Sequence, residues 1–150
     1  MTARPAAITS TLTRGASRWP GFLLGMGLGG FVDGIMLHQI AGWHNMGSSV
    51  LPPTTMEAMR QNMVWDGWFH LATLVLTSTG VYLLLRDARA GMALPGSGAF
   101  TGQLVLGWGV FNLVEGLVDH HLLDIHHVRD LPPPTFPCTT GSSSASAGWG

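Results

Sequence analysis

Apolar residues run almost unbroken through three stretches of this chain, about 19–40, 63–85 and 100–123, broken by polar residues at only a few levels. Each run is close to the ~20 residues that a helix needs to cross a ~30 Å hydrocarbon core. The pattern therefore predicts an all-α membrane protein with three transmembrane helices. Trp19, Trp43 and Trp65 fall near the expected ends, where indole rings favour the interface. The connections at 41–61 and 86–99 hold Pro52, Pro53, Pro95, Gly96 and Gly98 and read as loops. Residues 1–18 make an N-terminal segment and 19–130 the helical domain. The stretch 131–150, rich in Pro, Ser, Thr and Gly, is expected to be a disordered tail that cannot span a bilayer.

Composition agrees with a membrane. Only 10% of residues are charged, lysine is absent and the mean hydropathy is +0.30, which is unusual for a soluble domain. A net charge of −1 gives no footprint for nucleic acid. Cys138 stands alone, so no internal disulfide forms. The first apolar run exceeds the ~7–15 residues of a signal peptide's apolar core, which favours a retained helix. Five arginines (Arg4, Arg14, Arg18, Arg86, Arg89) fall on one side of the expected spans and two (Arg60, Arg129) on the other. This bias places the N-terminus in the cytoplasm and the 41–61 connection outside.

One segment occurs twice. LGMGLGGFVDGIMLHQIAGWH (24–44) recurs without a gap, 82 residues on, as LGWGVFNLVEGLVDHHLLDIH (106–126). Leu24, Gly25, Gly27, Val32, Gly34, His38 and His44 reappear as Leu106, Gly107, Gly109, Val114, Gly116, His120 and His126, and Asp33 becomes Glu115. An internal duplication predicts a tandem repeat. The helix after the first copy carries Asp66 and His70, whereas the second copy has no counterpart. The expected architecture is a four-helix bundle of two hairpins, related by a pseudo-twofold axis along the membrane normal, of which three helices are present.

The ionisable groups share a level. With a cytoplasmic N-terminus, Asp33, Asp66, His70 and Glu115 all fall roughly 5–15 Å below the outer boundary. Asn62, Asp66, His70, Thr73 and Thr77 form a polar stripe on the second helix, and Asn112, Glu115, Asp119 and His126 cluster on the third. On the first helix Asp33 and His38 are about 140° apart in α-helical projection, so they share no narrow stripe. Burying such charges costs at least ~2.5–3.5 kcal/mol each, which favours a functional role for the set. Imidazoles and carboxylates projecting inward from packed helices suit a metal. His38, His70, His120, Asp66 and Glu115 are the expected ligands. Asp33, Asp119, Asn62, Asn112, His44 and His126 are supporting or additional groups. His44 is expected in or near an aqueous loop. Iron, copper or zinc would fit, and a haem between His38 and His120 is a variant.

GFVDGIMLHQIAGWH, PPTTMEAMRQNMVWDGWFH and GWGVFNLVEGLVDHHLLDIHHV resemble a bacterial family of predicted multi-pass membrane proteins, the domain of unknown function 2243, over about residues 20–130. The resemblance implies a fourth apolar helix after HHV and residence in the bacterial inner membrane. It also implies respiratory metal or haem handling beside an assembly partner, and no assigned activity. From Leu131 this chain departs from that pattern, which is consistent with a truncation or frameshift. Two other functions compete with a metal site. One is a proton or ion relay. The other is a non-catalytic assembly subunit whose polar groups meet a partner helix or a second copy.

Overall fold

The computed structural model describes residues 15–123 and Ile125, at 120 and 121 through the backbone only. The expected tail at 131–150 and most of the N-terminal segment lie outside the described residues. Three helices and no strand are present among those described. The first, α1 (Trp19–Val32), runs on without a break into a π-helical segment, Asp33–Ile40. A loop then leads to α2 (Met56–Arg89). The third, α3 (Ser97–Leu117), passes into a second π segment, Val118–Leu122.

Local chemistry explains the ends. Pro20 in the first turn of α1 gives up no hydrogen bond there. Helix α2 begins at Met56 rather than near 63, because its first turns are polar and hydropathy does not register them. Thr55 caps that end by accepting a hydrogen bond from the Ala58 N–H at 3.2 Å, and Glu57 accepts from Arg60 and Gln61 across the next turn. The C-terminus closes at Gly91, whose positive φ of 68° lets Met92 N–H donate to the Asp87 carbonyl.

Helix α1 is the centre of the molecule and packs against both α2 and α3. The backbones of α2 and α3 stay apart, and the two helices meet where the Phe69 and Phe111 rings lie 6.1 Å apart. Glycines make this possible. On the α2 side, Gly27 lies against Thr73 and Thr77, Gly30 against Thr73, and Gly34 against Phe69 and His70. On the α3 side, Gly25 lies under the Leu104 carbonyl and Gly107 under the Phe22 carbonyl. These two contacts are reciprocal: Gly25 corresponds to Gly107 and Phe22 to Leu104 in the 82-residue register. The equivalents of Gly27 and Gly34 on α3, Gly109 and Gly116, have no described atom within 4 Å of a Cβ position.

The polarity of the fold is inside out. Among the described residues the buried apolar side chains are few, Pro20, Ala58 and Phe111, whereas Asp33, His38, His44, Ser48, Asn62, Asp66, Thr73 and Asp87 are all buried. Leu28, Ile35, Trp68, Leu74, Val75, Tyr82, Val105 and Leu113 face outward. A continuous apolar exterior of this kind calls for lipid. Among the described residues two helices are long and apolar enough to cross a membrane, Trp19–Ile40 (22 residues) and Met56–Arg89 (34 residues). The third expected span is helical as anticipated but less apolar, since Gly102, Gln103, Gly107, Gly109, Asn112, Glu115 and Gly116 dilute it.

Replacing Gly25 or Gly107 by Leu should force α1 from α3 and lower stability by about 1–3 kcal/mol or more. The same change at Gly109 should stay within about 0.5 kcal/mol. Thermal unfolding in detergent reads the difference, and an equal response at all three positions would refute the reciprocal packing.

Candidate metal centre

The π-helical segment creates the centre. Its hydrogen bonds run from i to i+5, as in Ala41 N–H to the Met36 carbonyl at 2.8 Å, so each turn takes up more residues than an α turn. Residues five apart, about 140° out of phase on an α-helix, then lie nearly above one another. Asp33 and His38 are five apart, and Asp33 Oδ2 sits 3.3 Å from His38 Nε2. The other ring nitrogen, Nδ1, lies 3.1 Å from Asp66 Oδ1 on α2. His38 is thus held between two buried carboxylates.

His44 completes the group and corrects its expected place in an aqueous loop. It is only 1% exposed, and its ring stands 4.5 Å from that of His38 at 72°. The left-handed turn at Gly42 (φ 58°) folds the chain back after the π segment and carries His44 inward. Ligand atoms of Asp33, His38 and His44 all lie within 4.8 Å of one another. Two donors bound to one metal at about 2.0–2.2 Å sit up to about 4 Å apart, so a small contraction would seat an ion. Asp33 Oδ2 is buried and lacks a hydrogen-bond partner among the described residues. Its contact with His38 has the distance of an ion pair without the alignment of a hydrogen bond. A buried orphan oxygen beside two imidazoles is satisfied by a cation.

Asp66, expected as a ligand, has another task. Its carboxylate accepts from Met46 N–H at 2.7 Å and Asn45 Nδ2 at 2.8 Å, besides contacting His38. Asn62, expected beside the metal, clamps the same loop, accepting from Gly47 N–H and donating to the Leu51 carbonyl. Gly47 lies flat on the Trp65 ring. Residues 45–51 are therefore strapped down over the buried group.

The other expected residues are placed differently. His70 is not in the cluster: its Nδ1 lies 2.7 Å from the Asp66 carbonyl oxygen, and the ring packs beside Gly34, Phe31 and Phe69. Thr73 and Thr77 bond back to their own helix. Asn112 is exposed and donates to the Trp108 carbonyl at 3.0 Å, away from the centre. Glu115 and Asp119 lie on α3 and its π segment and do not join the Asp33, His38 and His44 group. The side chain of His120 and all of His126 lie outside the described residues.

A family model described as "Predicted membrane protein (DUF2243)" matches residues 20–137. The chain belongs to that family. No curated protein and no solved structure matches it. The part matched by the DUF2243 model includes Asp33, His38, His44 and Asp66, with the loop that covers them.

Asp66→Ala should strand the Asn45 amide, the Met46 N–H and the His38 ring, at about 1–3 kcal/mol for each buried group left unpaired. Hydrogen exchange at Met46 should accelerate about tenfold or more, with Asp66→Asn intermediate because it keeps an acceptor oxygen. Unchanged protection in Asp66→Ala would show that the strap is held elsewhere.

Proposed function

We propose that this protein is a multi-pass protein of the bacterial inner membrane that binds a divalent metal at Asp33, His38 and His44. The orphaned Asp33 Oδ2 in contact with His38 carries the reading. Two imidazoles and one carboxylate form a donor set that leaves coordination positions open, which suits iron or zinc better than copper. Asp66 supports His38 from behind. A carboxylate on Nδ1 fixes the tautomer that points the Nε2 lone pair at a metal and raises its basicity. Haem is disfavoured, since both ring nitrogens of His38 already face carboxylates. An open metal position would polarise a bound oxygen ligand or act as a Lewis acid, while the protein's groups position and seal it.

The proton-relay alternative draws on the same Asp33, His38 and Asp66 contacts. On α2, however, the only buried residue between Thr77 and Asp87 is Gly80, which packs on Leu24. No polar chain reaches the other end among the described residues. The arginine bias puts the metal group, and the strap over it, on the outer side, with α3 as a third span.

Purified protein should hold metal that falls by at least half in His38→Ala, His44→Ala and Asp33→Asn, with His70→Ala unchanged. Equal metal content in all four variants would end the metal reading. Single cysteines at 45–55 should be labelled from outside in intact cells and those at 90–98 only after lysis. The reverse pattern would invert the topology.

A further inference from the structure

Methionine is distributed unevenly along α2. Met56, Met59 and Met63 all lie within 56–63, and none follows as far as Arg89. Outward positions of that later stretch are filled by Trp68, Leu74, Val75, Val81 and Leu85 instead. The three methionines stand three and four residues apart, so they share one helix face within about 60°. All three are exposed, at 81%, 46% and 68%. Ala58, Asn62 and Asp66 occupy the buried side of the same turns. Arg60, the charge beside the row, is balanced by Glu57 through two hydrogen bonds of 3.3 Å.

Helix length carries this face beyond the hydrocarbon. At 1.5 Å rise per residue the 34 residues of α2 span about 51 Å, against a core of ~30 Å. The apolar run begins near Met63, so Met56 and Met59 extend past it and Met63 stands at its edge. Contact with lipid does not account for the choice of side chain, since leucine and valine meet that need elsewhere on the same helix. What sets methionine apart is its sulfur, a neutral and polarizable thioether that binds soft cations. Helical side chains lean toward the N-terminus, which inclines Met63 toward Met59 and Met59 toward Met56. Neighbouring Cβ atoms on such a face stand about 5–6 Å apart. Two sulfurs on one ion, each at about 2.3 Å, lie at most about 4.6 Å apart, a separation that three rotatable bonds per side chain can reach. Met59 belongs to both neighbouring pairs.

We propose that Met56, Met59 and Met63 form a surface site for a soft monovalent cation, Cu(I), with Met59 as the shared ligand. The site is separate from the Asp33, His38 and His44 group and does not rest on it. The two differ in hardness, since imidazole with carboxylate suits iron or zinc whereas thioethers favour Cu(I). They differ also in their response to protons. A histidine must be neutral before it binds a metal, while a thioether has no proton to lose. Loading of the methionine row is therefore independent of pH across the range where histidine titrates.

Anaerobic titration of the untagged full chain in detergent with Cu(I), supplied from its bicinchoninate complex, tests the site. The Cys138→Ser background is used throughout, because a thiolate would compete for the same ion. One equivalent should bind, with the same affinity at about pH 6 and pH 8. Met59→Leu should weaken binding about tenfold or more, and the joint replacement of Met56, Met59 and Met63 by Leu should abolish it. Leucine keeps the volume and apolar character of methionine, so a role in packing or lipid contact would survive these changes. Met36→Leu, which alters an exposed methionine on another helix, and His38→Ala should both retain the equivalent. Circular dichroism confirms folding, and His38→Gln serves if His38→Ala fails to fold. X-ray absorption of the bound copper should show sulfur neighbours at about 2.3 Å. Absence of binding in the Cys138→Ser protein, or undiminished binding in the triple Leu variant, would overturn the site. Loss of the equivalent in the His38 variant, with nitrogen and oxygen neighbours only, would place copper among the histidines and overturn it as well.

Discussion

A helix that bonds from i to i+5 widens its turn, and the contact between Asp33 and His38 depends on that widening. On an α-helix the two side chains would diverge, one toward α2 and the other toward lipid. The π geometry stacks them, and the loop that follows delivers His44 to the same point. Backbone of this kind is uncommon and occurs mostly at functional sites. Neighbouring packing must hold it, and here α2 does so through Asp66, whose carboxylate contacts the ring of the displaced histidine.

The rest of the bundle serves to bring those groups close. Glycines at the α1 surface allow helix axes to approach until side chains touch backbone, as at Gly25 and Leu104. Little apolar side chain fits between the helices, so the interior is left to small and polar groups while leucines, valines and tryptophans turn outward. In water such a distribution would forfeit the hydrophobic driving force. In a bilayer it costs nothing, because lipid tails are as apolar as leucine.

Much of this was legible from sequence. Hydropathy located three helices, and the first was placed at its observed bounds of Trp19 and Ile40. The inward stripe of α2 at Asn62, Asp66 and Thr73 followed from helical spacing. The choice of ligands was less legible, because it assumed α geometry. In α-helical projection Asp33 is out of phase with His38 and reads as a supporting group, whereas Asp66, in phase with its own stripe, reads as a nearer carboxylate. The signal lay in the spacing itself: acid and histidine are five apart in both copies, a separation that suits neither an α face nor a strand. His44 could not be found by periodicity, since a loop brings it home. The helical start at Met56 was invisible to hydropathy because caps and ion pairs, not apolar residues, specify it.

Asp66 touches the histidine on one side and the covering loop on the other, so the two are thermodynamically linked. A cation on His38 Nε2 would draw electron density from the imidazole and make its Nδ1–H a stronger donor to Asp66. Any preference of the cation for the strapped loop must be matched by an equal preference of the strapped loop for the cation. Residues 45–51 would then act as the latch of an ion trap, with release of the cation and opening of the loop being two descriptions of a single event.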